Sequence, residues 1–223
     1  MPEAAHAAGR MNAGDRKRQL LDAALDLFSR KGFGGATTKE IAAAAGVTEA
    51  IIFRHFPSKQ ALYTAVLDSS AESCGQEKWL ADIQSRMDRN DDAGVLRSLA
   101  SAILESYRKG ARFERTLLFA ALEGHELGLA HYRQFAMPYF ELFRDYFARR
   151  QREGALRDYN PGLVLAAISG MAQTYAIYTE LFGFKPLRAD DSEMIDGFTD
   201  IMMRGIRQSK SSKKAPHKTR NRK

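Results

Sequence analysis

Cysteine is almost missing from this 223-residue sequence. The lone Cys74 excludes a disulfide framework and suits a reducing compartment. Proline is scarce too, at six residues. No apolar run approaches the roughly 20 residues that a bilayer span needs, the longest being about ten, over 163–172. The opening MPEAAHAAGR lacks the basic and apolar blocks of a secretory signal. These absences predict a soluble, cytoplasmic protein with no membrane partner. Enzyme signatures are missing as well: there is no Gly-rich phosphate loop, no G-x-S-x-G and no Cys pair, and Cys74 has no activating His nearby in sequence. The stretch HELGLAH superficially resembles a zinc-protease helix. Its two His are six residues apart, however, which turns the second about 240° from the first, whereas that chemistry needs them four apart on one face. No catalysis, cofactor or metal is expected.

The net charge of +7 is unevenly spread. Residues 1–60 hold nine Lys/Arg against six Asp/Glu, residues 61–208 hold 18 against 21, and residues 209–223 hold seven with no acid. That disposition suits an N-terminal module that meets phosphates, a nearly neutral body and a basic tail. Residues 1–14 and 209–223 lack periodicity and are expected to be disordered, the tail either touching DNA or merely solubilising.

Strand-like alternation is absent, and a helical period recurs from Asp15 onward, so the fold is predicted to be all-α. Leu21, Leu25 and Phe28, widened by Leu20, Ala24 and Leu27, give a first helix that ends at Gly32 after Arg30 and Lys31. Thr37 with Glu40 has the form of a capping box and opens a short helix that Gly46 stops. Thr48 can cap the next, along which Ile52 and Phe56 share a side. Pro57 ends it and Ser58 caps a helix running to about Cys74. Lys59 falls in that first turn, where the dipole disfavours a cation, and this suggests an anionic partner. Further helices are expected near 76–89, 92–109, 111–123 and 127–152, with Pro138 kinking or splitting the last. Asn160-Pro161 begins an apolar helix reaching about Phe182, and Asp190 with Glu193 opens a final one.

Two short helices joined by a Gly-containing turn are either a DNA-reading helix-turn-helix or an ordinary helical hairpin. The segments TTKEIA, AAGVTEA, IIFRHF and PSKQALY in unbroken succession, preceded by RKRQLLDAALDLFSRKGF, resemble the N-terminal domain of TetR/AcrR-type transcriptional regulators over residues 16–67. The resemblance implies a three-helix helix-turn-helix DNA-binding domain over 15–60 and a C-terminal helical ligand-binding and dimerisation domain over 61–208. It also implies a double-stranded DNA operator as partner and repression relieved by a small-molecule effector. At the positions matching the family pattern, Thr38 and Lys39 would contact backbone or a groove edge, and Lys59 would bind phosphate. Thr48, Glu49, Ala50, Ile51, Phe53, Arg54 and His55 would lie on or beside the recognition helix. Arg54 would read guanine, Ala50 and Ile51 would touch a thymine methyl, and Glu49 would accept from cytosine. Two residues depart from the pattern: Phe53 stands for the usual Tyr, and Ala50 stands where Gly is frequent.

The last two helices are apolar and carry Ala166, Ala167, Ser169 and Gly170, small residues that permit close helix contact. They are either buried within one subunit or, as the resemblance implies, paired in a four-helix homodimer interface. The aromatics Tyr132, Phe135, Tyr139, Phe143 and Tyr146 recur at helical steps and are either core or pocket. For a small apolar or aromatic effector, the candidate contacts are Phe113, Phe119, Tyr132, Phe135, Tyr175 and Tyr178, with Glu123, His125 and Gln173 as polar groups.

Overall fold

Helix α1 (Ala13–Gly35) starts two residues earlier than the periodicity suggests, because the Asn12 side chain accepts the Asp15 N–H at 2.8 Å and caps it. The structure, a computed structural model, describes residues 12–71, 76–184 and 190–208; Cys74 and the basic tail lie outside the described residues. Gly32, expected to end α1, instead breaks it with φ 69° before one further turn. A Cβ at that position would displace the Glu123 carboxylate, and the positive φ would strain any residue but glycine. The buried line of α1 is Leu20, Ala24 and Phe28. Leu21 and Leu25 are only partly buried, since α1 packs against α6 as well as against the helices that follow it.

Helices α2 (Thr38–Ala44) and α3 (Glu49–His55) form as the local signals require. Thr37 and Glu40 exchange both arms of the capping box. At the other end, Val47 N–H bonds Ala42 O and Gly46 N–H bonds Ala43 O around Gly46 at φ 62°, the double closure that a left-handed glycine permits. Thr48 occupies the cap of α3, but its hydroxyl makes no capping bond. Ser58 does cap α4 (Lys59–Ala71), accepting the Ala61 N–H at 3.1 Å. Ile41, Ile52, Phe56, Leu62 and Tyr63 close a small core around Phe28. We call α1 to α3 with the start of α4 the head, and the remainder the body.

The body comprises α5 (Gln76–Asp88), α6 (Asp92–Leu122), α7 (Glu126–Arg152), α8 (Pro161–Ala176) and α9 (Asp191–Ile206). Three boundaries differ from expectation. The two helices anticipated on either side of Gly110 are one, α6, bent there at φ −119° and held on both sides by its packing against α1 and α8. Pro138 does not split α7. The helix expected to reach Phe182 changes at Ile177 into a π-helical turn (Ile177–Leu181), where the Thr179 hydroxyl donates to Tyr175 O at 3.1 Å and Phe182 N–H reaches back to Ile177 O. Asp190 caps α9 through the Glu193 N–H at 2.8 Å.

A buried ion pair joins α6 to α7. Arg150 grips Asp92 through Nε at 2.7 Å and a terminal nitrogen at 3.0 Å, and the Tyr146 hydroxyl donates to the same carboxylate at 2.6 Å. Burial, with Asp92 beside it, pushes the Tyr146 phenol well above its ordinary range. Among the described residues no strand forms and no helix is long and apolar enough to cross a membrane.

Candidate DNA-reading surface and ligand cavity

The head presents α3 outward. Thr48, Ala50, Phe53 and Arg54 are exposed on it, with Lys39 beside them on α2. Arg54 and Lys39 have no hydrogen-bond or ion-pair partner among the described residues, so both cations face solvent. At four places the expected contacts sit differently. Ile51 turns partly into the core, which withdraws it from a thymine methyl. Thr38 donates its hydroxyl to the Glu49 carboxylate, so these two engage each other across α2 and α3 and Glu49 has one acceptor fewer for a base. His55 is half-buried against Phe56, and its Nε2 finds no partner among the described residues.

Lys59 is the fourth. Its ammonium lies 4.4 Å from the centre of the Phe33 ring, and burial lowers its pKa against the opposing fields of Glu123 and Glu40. The anionic partner inferred from its place in the helix is therefore in part internal. Glu123, expected among the ligand contacts, belongs to this joint: its carboxylate accepts Phe33 N–H at 3.2 Å and Gly34 N–H at 3.5 Å. His125 packs on Phe33 with ring centres 4.1 Å apart, and Tyr63 lies edge-on at 5.1 Å, its phenol pushed up to about 12 by burial and then by Glu123. The loop between α6 and α7 is thereby clasped to the end of α1 and the start of α4.

The body contains a cavity of about 690 Å³ bounded by α1 and by α4 to α8, a size typical of small-molecule sites. Phe113, Tyr132, Phe135 and Gln173 line it as expected. Phe119, Tyr175 and Tyr178 do not. Phe119 faces a shallow groove with Leu122 and Phe182; Tyr175 is buried, donating to Asp191 at 3.1 Å; Tyr178 is exposed and packs against Phe182 and Phe184. Tyr178 lies on the π-turn that follows Ala176. Of the aromatic stripe, Tyr139 and Phe143 also reach the cavity, whereas Tyr146 is committed to Asp92.

Several lining residues are new. Trp79, the single tryptophan, walls one side. His131 packs on Phe135 with ring centres 4.3 Å apart, its Nδ1 lies 3.7 Å from Asp68 on α4, and burial lowers its pKa against that carboxylate. Tyr107 accepts the Gln173 amide at 3.0 Å. Glu114 lies seven residues beyond Tyr107 and hence on the same face of α6, a spacing that could have flagged it. Burial raises its pKa, partly offset by a hydrogen bond from Ser106.

Residues 20–66 match the model of the family described as bacterial regulatory proteins, tetR family. Over 194 residues the chain is 25% identical to YvkB, an HTH-type transcriptional regulator of Bacillus subtilis, a match covering 85% of this chain and 96% of that one. It is 30% identical over 154 residues to the HTH-type transcriptional regulator TtgR of Pseudomonas putida, covering 69% of this chain and 65% of TtgR. Among solved structures, AibR in complex with isovaleryl coenzyme A and operator DNA superposes with a TM-score of 0.63 at 21% identity, covering 83% of this chain and 97% of AibR.

Proposed function

Because the chain is a TetR/AcrR-type, DNA-binding transcriptional regulator, we propose that it acts in the cytoplasm as a homodimeric repressor, released from its operator when a small, largely apolar molecule enters the body cavity. Residues 15–60 would form the DNA-binding unit and 61–208 the effector and dimerisation unit, with no catalytic role. The observation that carries this reading is the path of α4. Its first residue follows the reading helix α3 through only Phe56, Pro57 and Ser58, and its far end supplies Ser69 and Ser70 to the cavity wall. A ligand that shifts α4 would move α3 with it. AibR, solved with both a small molecule and operator DNA, supports the same division of labour.

The outer faces of α8 and α9 support the dimer. Leu163 and Ile201 are 60% and 62% exposed there, and Gly170, Gly197 and Gly205 have open space where a Cβ would stand. Such an apolar, small-residue surface fits a second copy of itself. Half-sites in the operator should lie about one helical turn, roughly 34–36 Å, apart or a multiple of it.

A ligand shifts DNA affinity only through its differential affinity for two states, and a 100-fold loss of operator binding needs a coupling of about 2.7 kcal/mol. The linkage is reciprocal. Calorimetric titration of an effector, with and without operator, should therefore show the two affinities changing by one factor; an unchanged ligand affinity excludes effector release for that compound. A monomeric mass at micromolar concentration, with binding to single half-sites, would overturn the dimer.

A further inference from the structure

We infer that the cavity selects a hydrophobic cation, an aromatic or alkyl amine or quaternary ammonium, with Glu114 as its counter-charge and the surrounding aromatic rings as its cage. This rests on the reading of the cavity as the effector site, and it narrows the ligand's class.

The argument is a count of charge inside an apolar enclosure. Among the described residues Glu114 is the single carboxylate on the cavity wall, and no described cation pairs with it. The two basic residues on the same wall are engaged elsewhere. Arg112 donates to Asp22 on α1 at 2.7 Å, and Lys109 pairs with Glu105 at 2.7 Å. His131 is held toward its neutral form by burial. The cavity therefore carries one uncompensated acidic group.

The same cavity wall holds Phe113, Tyr132, Phe135, Tyr139 and Trp79. Ring faces are the electron-rich surfaces that attract an organic cation, and Trp and Tyr are the strongest of them. The pairing is also favoured by desolvation. Burial holds the Glu114 carboxyl above its ordinary range, and an arriving cation relieves that penalty by supplying the charge that solvent does not. An anionic ligand would meet the opposite arrangement, a carboxylate with no cation free to offset it. A neutral apolar ligand would fill the volume and leave the carboxyl without a partner.

The test is calorimetric titration of the full-length protein with three probes sharing one ring system: naphthalen-2-ylmethyl-trimethylammonium, its neutral carbon isostere 2-neopentylnaphthalene, and 2-naphthylacetate. The expected result is that the cation binds at least about tenfold more tightly than the isostere and that the acetate binds weakest. In Glu114→Gln the cation's advantage should vanish, whereas Glu114→Asp, which keeps the charge, should retain part of it. If the isostere or the acetate equals the cation in the unsubstituted protein, or if the preference survives in Glu114→Gln, this inference is overturned while the cavity keeps its role. If none of the three binds, the cavity reading itself is overturned along with it.

Discussion

In the head, Leu20, Ala24, Phe28, Ile41, Ile52 and Leu62 are all inaccessible to solvent and meet around one ring; in the body, longer helices with more apolar side chains surround about 690 Å³ of empty space. Helix length and hydrophobicity alone would predict the reverse. In the head two helices of seven residues, closed by caps and a left-handed glycine, pack on α1, and their buried side chains join one cluster with Phe28. Bulky rings along α6 and α7 line the space between the body helices, and α6 bends at Gly110 on its wall. A solid unit keeps a reading surface in one shape, while a hollow one has an interior that a ligand can complete.

The largest expected effect falls on what keeps the hollow unit standing. Asp92→Ala leaves the Arg150 guanidinium and the Tyr146 hydroxyl without their shared acceptor, and should destabilise the body by about 3–5 kcal/mol. Urea unfolding followed by Trp79 fluorescence reports on the body, and a shift smaller than about 1 kcal/mol would mean that the pair is not holding α6 to α7.

The contrast in packing is testable by enlarging one small residue in each unit. Ala24→Leu in the head should cost roughly 2 kcal/mol through overpacking, whereas Ala102→Leu, which projects into the cavity, should cost less than about 0.5 kcal/mol. Equal penalties in thermal melts would show that the cavity closes in solution.

On the reading surface, Arg54→Ala should weaken operator binding by about 1.5 kcal/mol and relax preference at one base position, with stability unchanged. A binding selection that shows uniform weakening at all positions would reassign Arg54 to phosphate.

The smallest effect separates the two units by acid. His131 has a lowered pKa, so its contribution to stability is present above its ordinary value of 6.5 and is lost as the pH falls below it. Glu40, bonded by Lys31 and then by Thr37, is lowered to about 2, so its contribution is fully present above 4.5 and is lost progressively as the pH falls from 4.5 towards 2. Acid titration should loosen the body before the head; simultaneous loss of Trp79 fluorescence and helical ellipticity would contradict this.

What was legible in the sequence follows the same division. Thr37 with Glu40, Gly46, Ser58 and Asn160 act on backbone groups within five residues of themselves, and each did so in the structure, apart from the unbonded hydroxyl of Thr48. The all-α architecture and the place of the head were legible for that reason. Four of the nine expected ligand residues share one cavity: Phe113, Tyr132 and Phe135 because aromatic spacing along α6 and α7 marks a face, and Gln173 from α8. Glu123 and Tyr175 carry no comparable mark. Their roles are set by Phe33 and Asp191, distant in sequence or across a turn whose π geometry no periodicity announces. Glu114 shares the face of α6 with Tyr107, but as an acid it carries no aromatic signal that marks that face as a pocket.

Lys59 has a consequence for the ionic atmosphere of the complex. A fully hydrated lysine that meets a phosphate expels close to one condensed cation from DNA, and each such event steepens the fall of affinity with salt by about 0.9 in logarithmic slope. With its ammonium resting on Phe33 under the fields of Glu123 and Glu40, Lys59 is already partly neutralised before DNA arrives. On the proposed reading its share of ion release should be a fraction of that unit, whereas the exposed Lys39 should contribute a whole one. Glu123 supports the Lys59 ammonium against its burial, so moving Glu123 away from the joint removes that field, and the salt exponent of operator binding should change when the clasp between head and body opens.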